Sequence, residues 1–418
     1  MTKPIVLIAC AALLAAAGPA RSPEEIADAA LRAAPVFDGH NDVPEQLRER
    51  RKNLIDGFDF RDTRNTADPA SGRDAMMTDL ARMKAGKVGA QFWSVYVSAS
   101  LPEPQAVQAT LEQIDVTRRL IARYRADLEL CVDSACVIAA QKAGRVASLI
   151  GMEGGHSIGG SLAVLRQMHA LGARYMTLTH FRNTAWADSG TDTPAHDGLT
   201  PFGVSVVREM QRLGMLVDLA HVSEATMVDV LATGGPPVIV SHSNARAINH
   251  HARNISDATL KLIGANGGIV MVNFYPPYVV EAVRQWAASR DGEQARLAAL
   301  HRGDPDAAKA ALAAWDKANP MPRGTLRDVA DHIDHIARLI GTGHVGLGGD
   351  LDGVEATVEG LEDISAYPAL FVELARRGWS QADLEMLSSR NMLRVMKAAE
   401  VYAAAHRHDP PLENATAF

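Results

Sequence analysis

Residues 37–45, "FDGHNDVPE", set His40 and Asp42 one residue apart, directly after the apolar run "APVF". In extended backbone, residues i and i+2 share a face. An imidazole and a carboxylate placed so can converge on one metal ion; a strand end wrapped in polar loop residues is the plainer alternative. Five more ionisable residues close apolar runs in the same manner: Glu153 in "GMEGGHS", His180 in "MTLTH", His221 in "VDLAH", His242 in "IVSHS" and Asp350 in "LGGD". Taken singly, each reads as an ordinary strand-end or turn residue. Their shared position is what independent loop residues would rarely show. Seven such groups on one rim would repel or desolvate one another unless one or two divalent cations compensated.

The residue types narrow the cation. Three imidazoles (His40, His221, His242) with two carboxylates (Asp42, Glu153) suit zinc or a similar borderline ion, whereas calcium or magnesium would ask mainly for oxygen. Five ligands exceed one catalytic zinc site, which takes three protein ligands and a water. They fit two ions if one carboxylate bridges. Two ions about 3.5–4 Å apart can hold a hydroxide between them near neutral pH, a hydrolytic nucleophile that needs no serine or cysteine.

The elements that must position these groups are short runs rich in Val, Ile, Leu and Met: residues 34–40, 88–97, 146–154, 173–180, 214–221, 237–243, 267–275 and 344–350. Their apolarity is continuous rather than alternating, as in parallel strands buried on both faces. Amphipathic stretches such as "SLAVLRQMHALG" and "PFGVSVVREMQRLG" separate them, each closed by glycine as helices often are. Eight strand–helix units predict an α/β fold, a (β/α)8 TIM-type barrel, with a doubly wound open sheet as the alternative. In such a barrel the C-terminal strand ends form one face, which carries the chemistry. Residues 281–325, charged and Ala-rich, read as a helical insertion between the seventh and eighth runs, within a single domain spanning 21–418. His332 and His335 in "DHIDH" fall on a predicted helix and are given no metal role. His250, His251 and Asp352 are placed outside the ligand set.

The 418 residues are 47% hydrophobic and 22% charged, as in a soluble globular protein. A net charge of −7, with no basic run interleaved with aromatics, argues against a nucleic-acid partner. Residues 1–20 have Lys3, an apolar run and small residues at Ala17–Ala20, the pattern of an export signal peptide. "LIAC" also matches a lipoprotein processing box, which would tether the chain to a membrane through a lipidated Cys10. Export to a bacterial periplasm or cell envelope is the expected location. Cys131 and Cys136 are too few for a thiolate zinc cage and are left either paired or as free thiols. "HDPPLENATAF" carries no hydrophobic tail, so no GPI-type anchor is expected.

Together, "FDGHNDVP", "GMEGGHSIGG", "YMTLTHFRNTAWADS", "VDLAHVS", "VSHSNARAINHHARNISD" and "GLGGDLDGV" resemble the membrane dipeptidase (renal dipeptidase) family, in that family's order, over roughly residues 25–405. The resemblance implies a binuclear zinc peptidase on an amidohydrolase-like barrel. It implies that His40, Asp42 and Glu153 hold one zinc, and that Glu153 bridges to a second held by His221 and His242. His180 would then polarise the scissile carbonyl or stabilise its oxyanion. Arg253 would pair with the substrate's C-terminal carboxylate, helped by Tyr278 or Tyr275. Asp350 would shuttle the proton from the attacking hydroxide to the leaving amine, and receive the substrate's ammonium. The implied substrates are dipeptides with both termini free, including L-Xaa-D-Xaa, and a homodimer would suit the family.

Arg182 stands where vertebrate relatives carry a cysteine, so the disulfide made there is not expected. Two other functions compete. A different binuclear amidohydrolase, opening a lactone, cyclic amide or β-lactam, commonly uses a His-x-His first pair and a carboxylated lysine bridge; here the pair is His-x-Asp and the bridge candidate is Glu153. A non-catalytic peptide-binding barrel has no need of all five ligand types.

Overall fold

Nine parallel strands carry the architecture: β1 (Val36–Asn41), β2 (Val88–Ser94), β3 (Leu128–Leu130), β4 (Val146–Glu153), β5 (Ala173–Thr177), β6 (Leu216–Asp218), β7 (Ile239–Val240), β8 (Ile269–Val272) and β9 (Val345–Leu347). The structure, a computed structural model, describes residues 21–413. The expected leader and Cys10 lie outside the described residues. β2 pairs with β4, and β9 with β1, so eight strands in the order β1-β2-β4-β5-β6-β7-β8-β9 close a barrel. This is the (β/α)8 barrel expected from the eight apolar runs; the open sheet is excluded.

β3 is the strand the sequence reading lacks. Its three residues pair with the start of β4, outside the closed ring. A run this short has no period to read. The Cys131–Cys136 disulfide ties the end of β3 to the helix Ser134–Lys142. The pairing left open by the sequence is therefore made.

Local chemistry sets the helix boundaries. Thr200 caps Pro201–Leu213, its side chain accepting from Gly203 N, and Gly214 ends the helix at φ +74°. Ser161 caps Leu162–Ala170 in the same way through Val164 N. Residues 281–325 form the expected helical excursion, built on Glu281–Leu300 and Pro305–Ala318, which bury only Val283 and Leu297.

The barrel interior carries an aromatic cluster. Phe37 and Phe92 stack at 5.6 Å, and Phe92 meets Tyr175 at 4.8 Å. Gly151 on β4 makes room for that last ring: a Cβ there would lie 2.0 Å from Tyr175. Among the described residues, no helix is long and apolar enough to cross a membrane.

Candidate metal centre

The strands are shorter than the apolar runs, and the difference places the chemistry. β5 ends three residues before His180, β6 three before His221, β7 two before His242 and β9 three before Asp350. These side chains stand on the first residues of the loops above the barrel rim. His221 and Asp350 adopt φ +65° and +60°. That left-handed backbone is disfavoured for side-chain-bearing residues and is a recurrent feature of functional sites.

Three overlapping groups of potential ligands result: His40, Glu153 and His242; Glu153, His180 and His221; His40, Asp42 and Asp350. Their union is the seven residues that close the apolar runs, all buried. Glu153 stands at the centre. Its Oε1 lies 3.0 Å from His221 Nε2, 3.5 Å from His242 Nε2 and 3.6 Å from His180 Nε2. Its Oε2 lies 3.4 Å from His40 Nε2 and accepts from Ser94 Oγ at 3.0 Å. One carboxylate thus addresses two histidine sets, one with each oxygen.

Side chains beneath the rim select which imidazole nitrogen faces inward. Ser241 Oγ donates to Asp218 Oδ2 at 2.6 Å, so at 2.8 Å it must accept from His242 Nδ1, which leaves Nε2 a bare lone pair. Tyr175 Oη lies 2.8 Å from His40 Nδ1, which turns His40 Nε2 toward the cleft. Asp42 begins the helix Val43–Arg51, yet its carboxylate makes no capping bond. Asp42 Oδ1 is buried without a hydrogen-bond partner among the described residues, and Oδ2 has only His40 Nε2, 3.2 Å away and poorly aligned. Buried polar atoms are rarely left so, because an unmade bond costs about 1–3 kcal/mol.

The electrostatics carry the same message. Burial, only partly offset by His40 and reinforced by Glu153 and Asp350, pushes Asp42 up to about 7. Burial also raises Asp350. Burial depresses His221 and His242 well below the ordinary histidine range, and takes His180 down to about 4. For His40 burial is outweighed by Tyr175, Asp42 and Glu153, which hold it well above that range; the other three are neutral, the form a divalent cation requires of its ligands. The residues present fit the metal.

Around this centre lies a cleft of about 220 Å³, lined by Asp42, Glu45, Tyr96, His180, Phe181 and Tyr278 among others. His180 packs between Tyr96 and Phe181, at 4.6 and 4.1 Å, and its carbonyl accepts from Ser189 Oγ. Asp350 Oδ2 accepts from Asn273 Nδ2 at 2.7 Å. Tyr275 and Tyr278 both line the cleft. Arg253 is buried behind Tyr278, its guanidinium 5.4 Å from that ring and Nη2 donating to His242 O. Its Nε has no partner among the described residues.

Residues kept out of the ligand set stand apart from it. Asp352 Oδ1 accepts from Met77 N, His251 Nδ1 accepts from Arg253 N, and His250 is exposed. His332 and His335 lie on Leu326–Ile340; His332 is buried, joining Ala245 N to Val279 O. The sequence reading missed the supports Tyr175, Ser241, Asp218, Ser94 and Asn273. Their one signal is a polar side chain inside or just past an otherwise apolar run. It also missed Glu45, Tyr96 and Phe181 on the cleft wall.

Known proteins fit this geometry. The family model for membrane dipeptidase, peptidase family M19, matches residues 24–409. Dipeptidase 3 of Macaca fascicularis is 39% identical over 392 residues, covering 93% of this chain and 70% of that protein. The probable dipeptidase PvdM of Pseudomonas aeruginosa superposes with a TM-score of 0.77 at 22% identity, covering 91% of this chain and 99% of that one. A Rhodobacter sphaeroides metallopeptidase, solved with a phosphinate mimic of L-Ala-D-Ala, gives 0.69 at 24% identity, with 88% and 99% covered. The chain belongs to the membrane dipeptidase family, peptidase family M19, and is a metal-dependent dipeptidase.

Proposed function

We propose that the protein is an exported, single-domain dipeptidase that uses two zinc ions to cleave dipeptides with free termini, L-Xaa-D-Xaa among them. The carrying observation is the divided carboxylate of Glu153, one oxygen toward His40 and the other toward His221 and His242. His40, Asp42 and Glu153 would hold one ion, and Glu153, His221 and His242 the other. When bound, the ions supply an acidified water at neutral pH and positive charge for a developing oxyanion.

The chain's own residues do the rest. His180, neutral at pH 7, donates a hydrogen bond to the scissile carbonyl as negative charge develops on it. Arg253, with Nε free, and Tyr278 beside it receive the C-terminal carboxylate. Asp350, held by Asn273 and raised by burial, takes a proton from the attacking water and returns it to the leaving amine. It also faces the substrate's ammonium. A cleft of about 220 Å³ that reads both ends of its substrate favours dipeptides over longer chains. The R. sphaeroides protein's L-Ala-D-Ala mimic supports a D-residue in second position. The leader pattern and the Cys131–Cys136 disulfide support export.

Metal analysis with a panel of L-Ala-D-Ala, L-Ala-L-Ala, N-acetyl-L-Ala-D-Ala and a tripeptide tests this. Two zinc equivalents and cleavage of free dipeptides alone are expected. Two metals without peptide turnover would move the substrate to a lactone or another amide.

A further inference from the structure

Glu45 is a carboxylate the mechanism does not use. It sits in the first turn of Val43–Arg51, three residues after Asp42, and lines the metal cleft. It also lines an adjoining cavity of about 320 Å³, which shares Gly353, Val354 and Glu355 with the cleft. The two spaces therefore meet along Glu45 on one side and residues 353–355 on the other.

No hydrogen bond or ion pair reaches the Glu45 carboxylate among the described residues, and it is not in any of the three ligand groups. The carboxylates around it are Asp42, Glu153, Glu49 and Asp350, of which Glu49 and Asp350 lie outside the proposed ligand set. No lysine or arginine is among the residues lining the cleft. The adjoining cavity has Arg50 and Arg73, but both are engaged: Arg50 with Gln46, Thr66 O and Asp74 O, Arg73 with Glu49. A cationic side chain placed there would gain a charge-assisted hydrogen bond to an otherwise unpaired carboxylate.

We propose that Glu45, at the junction of the two spaces, selects dipeptides whose N-terminal residue carries a cationic side chain, lysine or arginine, received in the cavity beside the metal cleft. The inference rests on the dipeptidase reading and adds a side-chain preference to it. The same carboxylate chemistry can also read the α-ammonium that every dipeptide carries, so the test must separate the two sources.

The experiment compares kcat/KM for L-Arg-D-Ala, L-Lys-D-Ala, L-Ala-D-Ala and L-Glu-D-Ala in the zinc-loaded enzyme and in Glu45→Gln and Glu45→Lys, with metal content checked in each. The wild type should favour the cationic pair over L-Ala-D-Ala, and Glu45→Gln should cut that ratio about tenfold or more. Glu45→Lys should turn the preference toward L-Glu-D-Ala. An equal fall for arginine and alanine dipeptides would assign Glu45 to the α-ammonium and overturn the proposal. So would a wild-type enzyme that cleaves neutral dipeptides with no cationic preference. No dipeptide turnover at all would overturn the dipeptidase reading itself, and this inference with it.

Discussion

The phenolic oxygen of Tyr175 lies 2.8 Å from His40 Nδ1. A side chain of the barrel interior thus decides which nitrogen of a rim histidine faces the cleft. Tyr175→Phe keeps the ring and its packing but removes that restraint. Metal affinity, read by competition with a chelator, should weaken roughly 10- to 100-fold, as for other residues that orient a metal ligand. Stability should fall by about 1–3 kcal/mol, because the buried His40 Nδ1 loses its partner. Unaltered metal affinity would show that His40 is oriented by its strand alone.

Glu153→Gln preserves shape while removing the charge shared between the two histidine sets. Bound metal should fall below two equivalents per chain and kcat by at least about a hundredfold. A variant retaining two ions and full turnover would falsify the bridging role.

His180→Ala should leave the metal content intact, since the five proposed ligands do not include it. It should lower kcat by about 10²–10³, the scale for losing one oxyanion donor. A rise in KM alone would instead mark His180 as a binding residue.

Asn273→Ala releases Asp350 Oδ2 from its one amide partner. The expected result is a kcat reduced about tenfold, KM nearly unchanged, and the acidic limb of the kcat profile displaced upward, because a hydrogen bond that favours the carboxylate form is lost. A profile that keeps its shape would remove Asp350 from proton transfer.

His332 gives a pH dependence whose sign can be worked out. Burial, opposed by its bond to Val279 O, lowers it from 6.5 to about 4. The unfolded chain takes up this proton below pH 6.5 and the folded chain only near 4, so acidification through that window favours unfolding. The contribution is at most about 3 kcal/mol at 1.36 kcal/mol per unit. Denaturant titrations at pH 7 and 4.5 should show His332→Gln losing less stability on acidification than the wild type.

What could be read in the sequence follows from period and punctuation. The eight barrel strands are continuous apolar runs, and the seven rim groups are the polar residues that end them. Both patterns survive without coordinates. β3 did not, because three residues paired to the foot of β4 leave no periodic trace. Nor did Tyr175, Ser241 and Asp218, since a lone hydroxyl or carboxylate within an apolar run does not reveal which rim residue lies above it. Glu45 was hidden differently: in "DVPEQL" it reads as an ordinary first-turn helix acid, and only the shape of the cleft gives it a neighbourhood.

Tyr175 fits above Gly151 because that strand carries no side chain there, and the same ring both fills the barrel and steadies His40. The barrel core and the support of a proposed metal ligand are therefore one set of atoms. Mutational drift has little freedom there, because a change that relaxes the packing also loosens the chemistry. New specificities must arise on the outer wall, at Glu45, Phe181 and Glu355, where side chains can be exchanged without disturbing the barrel. The fold divides the chain into a part that must be inherited together and a part free to diversify.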